Sequence, residues 1–270
     1  MSVRQIQGDS LTWLGQAGFR LRLDGLEILI DPFTSDHEAR LGPTPDLVDI
    51  ATGIDWLLVT HDHLDHFDVG FVSVLASYSP GASIVVPHPL VTRANALAPE
   101  LPVVGVGPGD SLQLATDVHL RCVPAWHAAD VGDGYSQGLG DDGTSSFVGY
   151  IVSTAEIALY HSGDTLVTDE LRLVLARERI DVALLPVNGR DYFREAAGLV
   201  GNMDGREAVR LATELGVALL VPMHWDLFAG NTVRPGAVVD EAAEDARLPV
   251  LVPARFVTFP LPRFSHAPPV

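Results

Sequence analysis

Three features of the chain predict an α/β fold: short apolar runs that recur along its length, helical patterns between those runs, and strand ends that repeatedly carry His or Asp. The first runs are 19-FRLRL-23 and 26-LEILIDPF-33, on either side of Asp24-Gly25. That dipeptide favours a two-residue hairpin turn, so the pair is expected to form a hairpin. Residues 34–45 are polar and rich in turn formers, which predicts a loop. Further strands are expected at 56-WLLVT-60, 83-SIVVP-87, 118-VHLRCVPAW-126, 147-FVGYIVS-153, 156-EIALYHS-162, 181-DVALLPV-187 and 217-VALLVPM-223. Helices are expected over 68–78, 89–98, 168–179 and 204–215. The last of these carries Ala208, Leu211, Ala212 and Leu215 on one stripe.

No linker or low-complexity block divides the chain, so residues 1–270 are expected to form one domain. The longest irregular stretch is 127-HAADVGDGYSQGLGDDGTSS-146. A loop of that length in a compact domain is expected to serve as a lid or pocket wall. The tail 260-PLPRFSHAPPV-270 reads as a loose end or a contact arm.

Composition narrows the function. The formal net charge of −18 repels phosphate backbones, which argues against a nucleic-acid partner and for a small-molecule substrate. No window approaches the roughly 20 apolar residues of a membrane span, and the first residues lack the apolar core of a signal peptide. The single cysteine, Cys122, excludes an internal disulfide framework and fits a reducing cytoplasm.

The chemistry is concentrated in 57-LLVTHDHLDHFD-68. His61, His63, Asp65 and His66 place four metal-binding groups within six residues, just after an apolar strand. An aspartate cap at Asp65 or Asp68 is the plainer reading of this turn, but it leaves three neighbouring histidines unexplained. Further candidate ligands stand at other strand ends: His127 after 123-VPAW-126, Asp164 in 160-YHSGDT-165 and His224 after 221-VPM-223. Strand ends are where open α/β architectures place their ligands.

The order THDHLDH, a lone histidine, HSGDT and a final histidine resembles the metallo-β-lactamase fold hydrolases, from about Trp13 to Phe228. The resemblance implies a four-layer αβ/βα sandwich with two divalent metal ions in a cleft at the sheet edges. It implies His61, His63 and His127 as ligands of the first metal and Asp65, His66 and His224 as ligands of the second, with Asp164 bridging. Zinc and manganese suit such a set, and iron does too. The segments 12-TWLGQAGFRL-21, 159-LYHSGDT-165, 181-DVALLPVNGR-190 and 203-MDGREAVRLATELGVALLVPMHWDLF-228 are similar to the L-ascorbate-6-phosphate lactonase group and to related small metal-dependent hydrolases.

A hydroxide held between two metals would then attack a small ester or lactone, a sugar-acid phosphate lactone among them. Asp65 and Asp164 are the expected catalytic carboxylates, and Asp65 is the expected proton carrier. For the substrate, Asn188, Arg190, Tyr192 and Trp225 are candidate contacts, with Arg194, Phe193 and Phe228 nearby. The arginines would clamp an anion, or would pair instead with Asp191 or Glu195. Asp31 and Asp62 are read either as braces for liganding imidazoles or as turn aspartates. His161 is expected to pack behind the site, and His37, His88, His119 and His266 to be ordinary surface or loop residues. A phosphodiesterase of phospholipase D type is the competing enzyme, a non-catalytic metal-binding protein the third alternative. Relatives associate, so a homo-oligomer is an open expectation.

Overall fold

The computed structural model describes residues 8–246 and 248–264. The first residues, His266 and the end of the tail lie outside the described residues. Strands β1 (Ser10–Gly15), β2 (Gly18–Leu23) and β3 (Leu26–Ile30) run antiparallel. The β2–β3 turn is the expected Asp24-Gly25, with both residues at positive φ (48° and 84°), as a hairpin with the right-handed twist requires. Helix α1 (Leu47–Ala51), strand β4 (Trp56–Leu58), helix α2 (Val69–Tyr78), strand β5 (Ser83–Pro87), helix α3 (Val91–Leu97) and strand β6 (Val103–Val106) follow. The second half contains β7 (Ser111–Ala115), β8 (Val118–Pro124), β9 (Val148–Ser153), β10 (Ala158–His161), α4 (Asp169–Leu175), β11 (Val182–Pro186), α5 (Tyr192–Ala196), α6 (Gly205–Glu214), β12 (Leu219–Met223), α7 (Gly236–Glu241) and β13 (Thr258–Pro260).

These strands make two mixed sheets, ordered β13-β1-β2-β3-β4-β5-β6 and β12-β11-β10-β9-β8-β7. Alternation along each strand divides its side chains between two apolar layers. Ile28, Ile30, Leu58 and Val85 meet Cys122, Tyr150, Leu159 and Val221 between the sheets. Leu29, Leu57 and Ile84 face the other way, onto Phe71 and Leu75 of α2 and Ala94 of α3. On the far side, Tyr160, Ala183 and Leu185 pack on Leu171 of α4 and on Ala208, Leu211 and Ala212 of α6. The result is the expected αβ/βα sandwich.

Helix starts follow their caps. Asp68 accepts from Phe71 N at the start of α2, and Asp204 forms a capping box with Glu207 at α6. The helix expected over 168–179 ends at Leu175, and Arg179 beyond it donates to the Thr154 and Ala155 carbonyls. Strands β6 and β7 lack apolar runs: Gly105 interrupts the first, and only Leu114 is buried in the second.

The site lies where strands end. Strands β3 to β6 run parallel, as do β10 to β12, so β4, β10 and β12 all deliver their carboxyl ends to one edge of the sandwich. Two hydrogen bonds cross between the sheets there. The Tyr150 hydroxyl donates to Val59 O at 2.6 Å, and Val148 N donates to Thr60 O at 3.2 Å. Tyr150→Phe strips the buried Val59 carbonyl of that donor, and the expected loss is about 1–3 kcal/mol of stability. Urea unfolding measures it; an unchanged midpoint would show that this bond does not brace the β4 end.

Candidate metal centre

After β4 the chain turns sharply, with Phe67 N donating to His63 O at 2.8 Å and the Phe67 side chain buried beneath. Asp68 is the aspartate that caps. Its two oxygens also accept from Thr34 and Ser35, tying the 34–45 loop to α2. Asp65 takes no cap and turns instead towards the imidazoles.

Two groups of potential ligands form. His61, His63, His127 and Asp164 make one, Asp65, His66 and His224 the other, with the ligand atoms of each group within 4.8 Å of one another. In the first, His61 Nε2 lies 3.0 Å from His63 Nδ1, His63 Nδ1 lies 3.2 Å from His127 Nε2, and His127 Nε2 lies 3.6 Å from Asp164 Oδ2. In the second, His224 Nε2 lies 3.3 Å from Asp65 Oδ2, and His66 Nε2 lies 3.8 Å from it. Asp164 joins the two groups: Oδ2, near His127 of the first, also stands 3.1 Å from His224 Nε2 of the second, and Oδ1 stands 3.3 Å from His66 Nε2.

These spacings suit cations. Ligands held about 2.0–2.1 Å from a tetrahedral ion lie about 3.3 Å from one another. Moreover, His66 Nε2 and Asp164 Oδ1 are buried and have no hydrogen-bond partner. A buried polar atom left in that state is costly, and a shared ion removes the cost. The residues present therefore fit two divalent metals.

The surroundings fix the ligand atoms. Asp31, fully buried at the end of β3, accepts from Thr60 N and Thr60 Oγ1 and lies 2.7 Å from His66 Nδ1. That contact occupies Nδ1 and leaves Nε2 for the cluster. Asp31 is thus a brace. Asp62 is not: it is half-exposed and paired with Arg93. His161 packs as expected, its Nε2 2.8 Å from Ala17 O and its Nδ1 accepting from Gly163 N. Gly163 has φ +60°, and a Cβ there would meet Val148 O at 2.8 Å and Thr60 Cβ at 2.9 Å. Only glycine makes the turn that delivers Asp164.

Gln16 was not among the sequence candidates. Its Nε2 donates to Asp65 Oδ2 at 2.7 Å and lies 3.0 Å from His224 Nε2. Its backbone is held by Asp226 Oδ1 on one side and by His224 N on the other. Of the five non-glycine residues at positive φ among those described, three are Gln16, Asp31 and His224. Backbone strain therefore gathers at the site, where these hydrogen bonds hold it.

A cavity of about 390 Å³ opens over both groups. Leu64, Ala129, Leu199, Val200 and Phe228 wall it, together with His37, Asp130 and Asn231. The 127–146 loop contributes Ala129 and Asp130. His37, expected to be an ordinary loop residue, lines this cavity. The substrate candidates mostly do not. Arg190 pairs with Glu195 and lies over the Tyr135 ring, and Arg194 pairs with Asp191. Tyr192 is 79% exposed on α5, and Trp225 stacks on Trp13 away from the cavity. Asn188 is buried behind Asn231 and bonded to it. The arginines' own acids are within reach along α5, so the clamp expected from Arg190 and Arg194 becomes local ion pairing.

Charge is divided within the metal-free site. Burial, with His66 and His63 beside it, holds His61 well below its ordinary pKa, and burial brings His127 down to about 3. Burial also opposes the charged forms of His66 and His224. There the carboxylates outweigh it: Asp164, Asp65 and Asp31 keep His66 well above its usual range, and Asp164 and Asp65 raise His224 to about 9. Burial likewise opposes the Asp65 and Asp164 anions, but His66 and His224 hold both below the carboxylate range.

At pH 7 the first group is thus ready to bind through neutral His61 and His127, whereas His66 and His224 carry protons that an ion must displace. Metal binding to the second group should weaken as pH falls below about 9, by up to about tenfold per pH unit for each proton displaced. Calorimetric titration of metal-free protein in two buffers of different ionisation enthalpy counts those protons. Proton release on filling the second site is expected; none at pH 7 would contradict this charge assignment.

Relatives share this arrangement's fold. Residues 27–225 match the family described as "Beta-lactamase superfamily domain". The chain is 27% identical to a "UPF0173 metal-dependent hydrolase" of Caldivirga maquilingensis over 93% of this chain and 98% of that one. It is 30% identical to another from Methanopyrus kandleri, over 90% and 96% respectively. In fold it is similar to Igni18, a metallo hydrolase from Ignicoccus hospitalis, with a TM-score of 0.72 and 22% identity over 94% of this chain and 99% of that one. With a sandwich of this kind and two His/Asp groups at its edge, the chain belongs to the beta-lactamase superfamily domain family, among the metal-dependent hydrolases of the UPF0173 type.

Proposed function

We propose that this metal-dependent hydrolase cleaves a small ester or lactone, with Asp65 and Asp164 as its catalytic carboxylates. The observation that carries the reading is the position of Asp164, whose Oδ2 lies between His127 of one ligand group and His224 of the other while Oδ1 faces His66, with Asp65 beside it on the cavity wall. His61, His63 and His127 hold one ion in this reading, and Asp65, His66 and His224 the other, with Asp164 between them. Zinc, manganese and iron all suit imidazole and carboxylate. Bound there, such ions supply Lewis acidity, acidifying water and offsetting the charge that develops on an attacked carbonyl oxygen.

The chain's own groups supply the rest. Asp65 engages Gln16 and His224 through Oδ2, so Oδ1 is free of those contacts and serves as the proton-carrying atom. It takes a proton there and returns it to the leaving alkoxide. Gln16 keeps the Asp65 carboxylate in place while that proton moves. Asp31 holds His66 in the tautomer that leaves Nε2 unprotonated once an ion is bound. The similarity of 159-LYHSGDT-165 and 203–228 to the lactonase group supports a lactone in particular. Residues 1–270 act as one domain in this reading, and the lone cysteine fits a cytoplasmic setting.

A screen of metal-loaded protein with lactones, p-nitrophenyl esters and bis-(p-nitrophenyl) phosphate tests the proposal. Turnover of a lactone or ester is expected, with kcat reduced about 10²–10⁴-fold in Asp65→Asn. Turnover of the phosphodiester alone would overturn the acyl reading, and full activity in the variant would remove Asp65 from the chemistry.

A further inference from the structure

The cavity wall itself speaks to the substrate. Beyond the candidate ligands it is lined chiefly by Leu64, Ala129, Leu199, Val200 and Phe228, and among the described residues no lysine or arginine lines it. Asp130, an acid, does. Asp65, Asp164 and Asp31 would offset most of the charge of two bound ions, and what remains sits at the ligands rather than along the outer wall, where Asp130 is the charged residue. A phosphate or carboxylate away from the reacting carbonyl would lose water against aliphatic side chains and find no counter-charge.

Two uncharged polar groups remain on the wall. His37 Nδ1 accepts from Ala39 N, so the neutral ring carries its proton on Nε2. Asn231 is held by a directional relay: Asn202 Nδ2 donates to Asn188 Oδ1 at 3.1 Å, and Asn188 Nδ2 donates to Asn231 Oδ1 at 2.9 Å. Asn188 and Asn202 are buried, so the relay is shielded from water. The Asn231 oxygen is thereby occupied, and Asn231 lines the cavity with its Nδ2 bound to no side chain or backbone group among the described residues.

Resting on the ester or lactone reading above, we propose that the cleft selects an uncharged substrate with a compact apolar group, one acceptor oxygen of which is bound by Asn231 Nδ2. Hydrocarbon fills the space between Leu64, Leu199, Val200 and Phe228, and the oriented carboxamide supplies the polar contact that fixes its pose. Phosphorylated sugar lactones fall outside this class.

The test uses metal-loaded protein and matched pairs: an alkyl-substituted lactone against the same lactone ending in a carboxylate or phosphate, and the corresponding lactams as uncleaved binding probes. The neutral lactone should exceed the anionic one by about 100-fold or more in kcat/KM. Asn231→Ala should lower kcat/KM for the neutral lactone by about 10–100-fold with metal content unchanged. Leu199→Arg should narrow the gap between the pair. Equal or better turnover of the anionic lactone, or an Asn231→Ala variant as active as wild type, would overturn the proposal. If neither lactone is hydrolysed, the ester or lactone reading fails, and the lactams still decide charge selection. Tighter binding of the neutral lactam by calorimetry upholds it; equal binding, or none, sinks it.

Discussion

Two buried carboxylates, Asp31 and Asp164, set the terms for the end of the sandwich. A carboxylate removed from water must find donors or positive charge nearby. Asp31 finds its donors in Thr60 and the His66 ring, and in doing so joins the β3 end to the turn after β4. Asp164 finds imidazole nitrogens on two sides and leaves Oδ1 without a hydrogen bond. The positive charge on His66 and His224 offsets the carboxylates while metal is absent, without giving Oδ1 a hydrogen bond. An ion meets the demand better, because it satisfies several ligand atoms at once.

The sandwich is what makes such crowding possible. Parallel strands β4, β10 and β12 end on one edge, and loops from both sheets converge there. The turn through Gly163, the strained backbones at Gln16, Asp31 and His224, and the inter-sheet bond from Tyr150 all serve one end: they keep groups that would repel or desolvate one another within a few ångströms. The apolar layers on both sides of each sheet supply the rigidity.

Much of this was legible in the sequence because chemistry and periodicity coincide. The HDHLDH turn, the lone histidines and the HSGDT segment each sit at the end of an apolar run, so ligands and strands could be read together. The hairpin at Asp24-Gly25 and the helix that starts after Asp204 were legible for similarly local reasons. What escaped depends on contacts distant in sequence. Gln16 touches Asp65 and His224 from the first hairpin, and a glutamine in TWLGQAGF carries no metal-binding signal of its own. His37 reaches the cavity through a 34–45 loop held by Asp68 at one end and by Leu227, Ala229 and Phe228 further along. For Arg190 and Arg194 the sequence left an anion clamp and local pairing both open, and pairing is what forms: their acidic partners lie close along the chain, and local ion pairing takes precedence over a distant ligand. Strands β6 and β7 are edge-like and poorly buried, so they leave no apolar run to read.

The account stands on two divalent ions sharing Asp164. Native mass spectrometry of chelator-stripped protein after reconstitution with zinc or manganese counts them directly, in wild type and in Asp164→Ala. Two ions per folded chain in the wild type, falling to one or none in the variant, is the predicted result. A wild type that binds no ion, or an Asp164→Ala variant that still holds two, would contradict it.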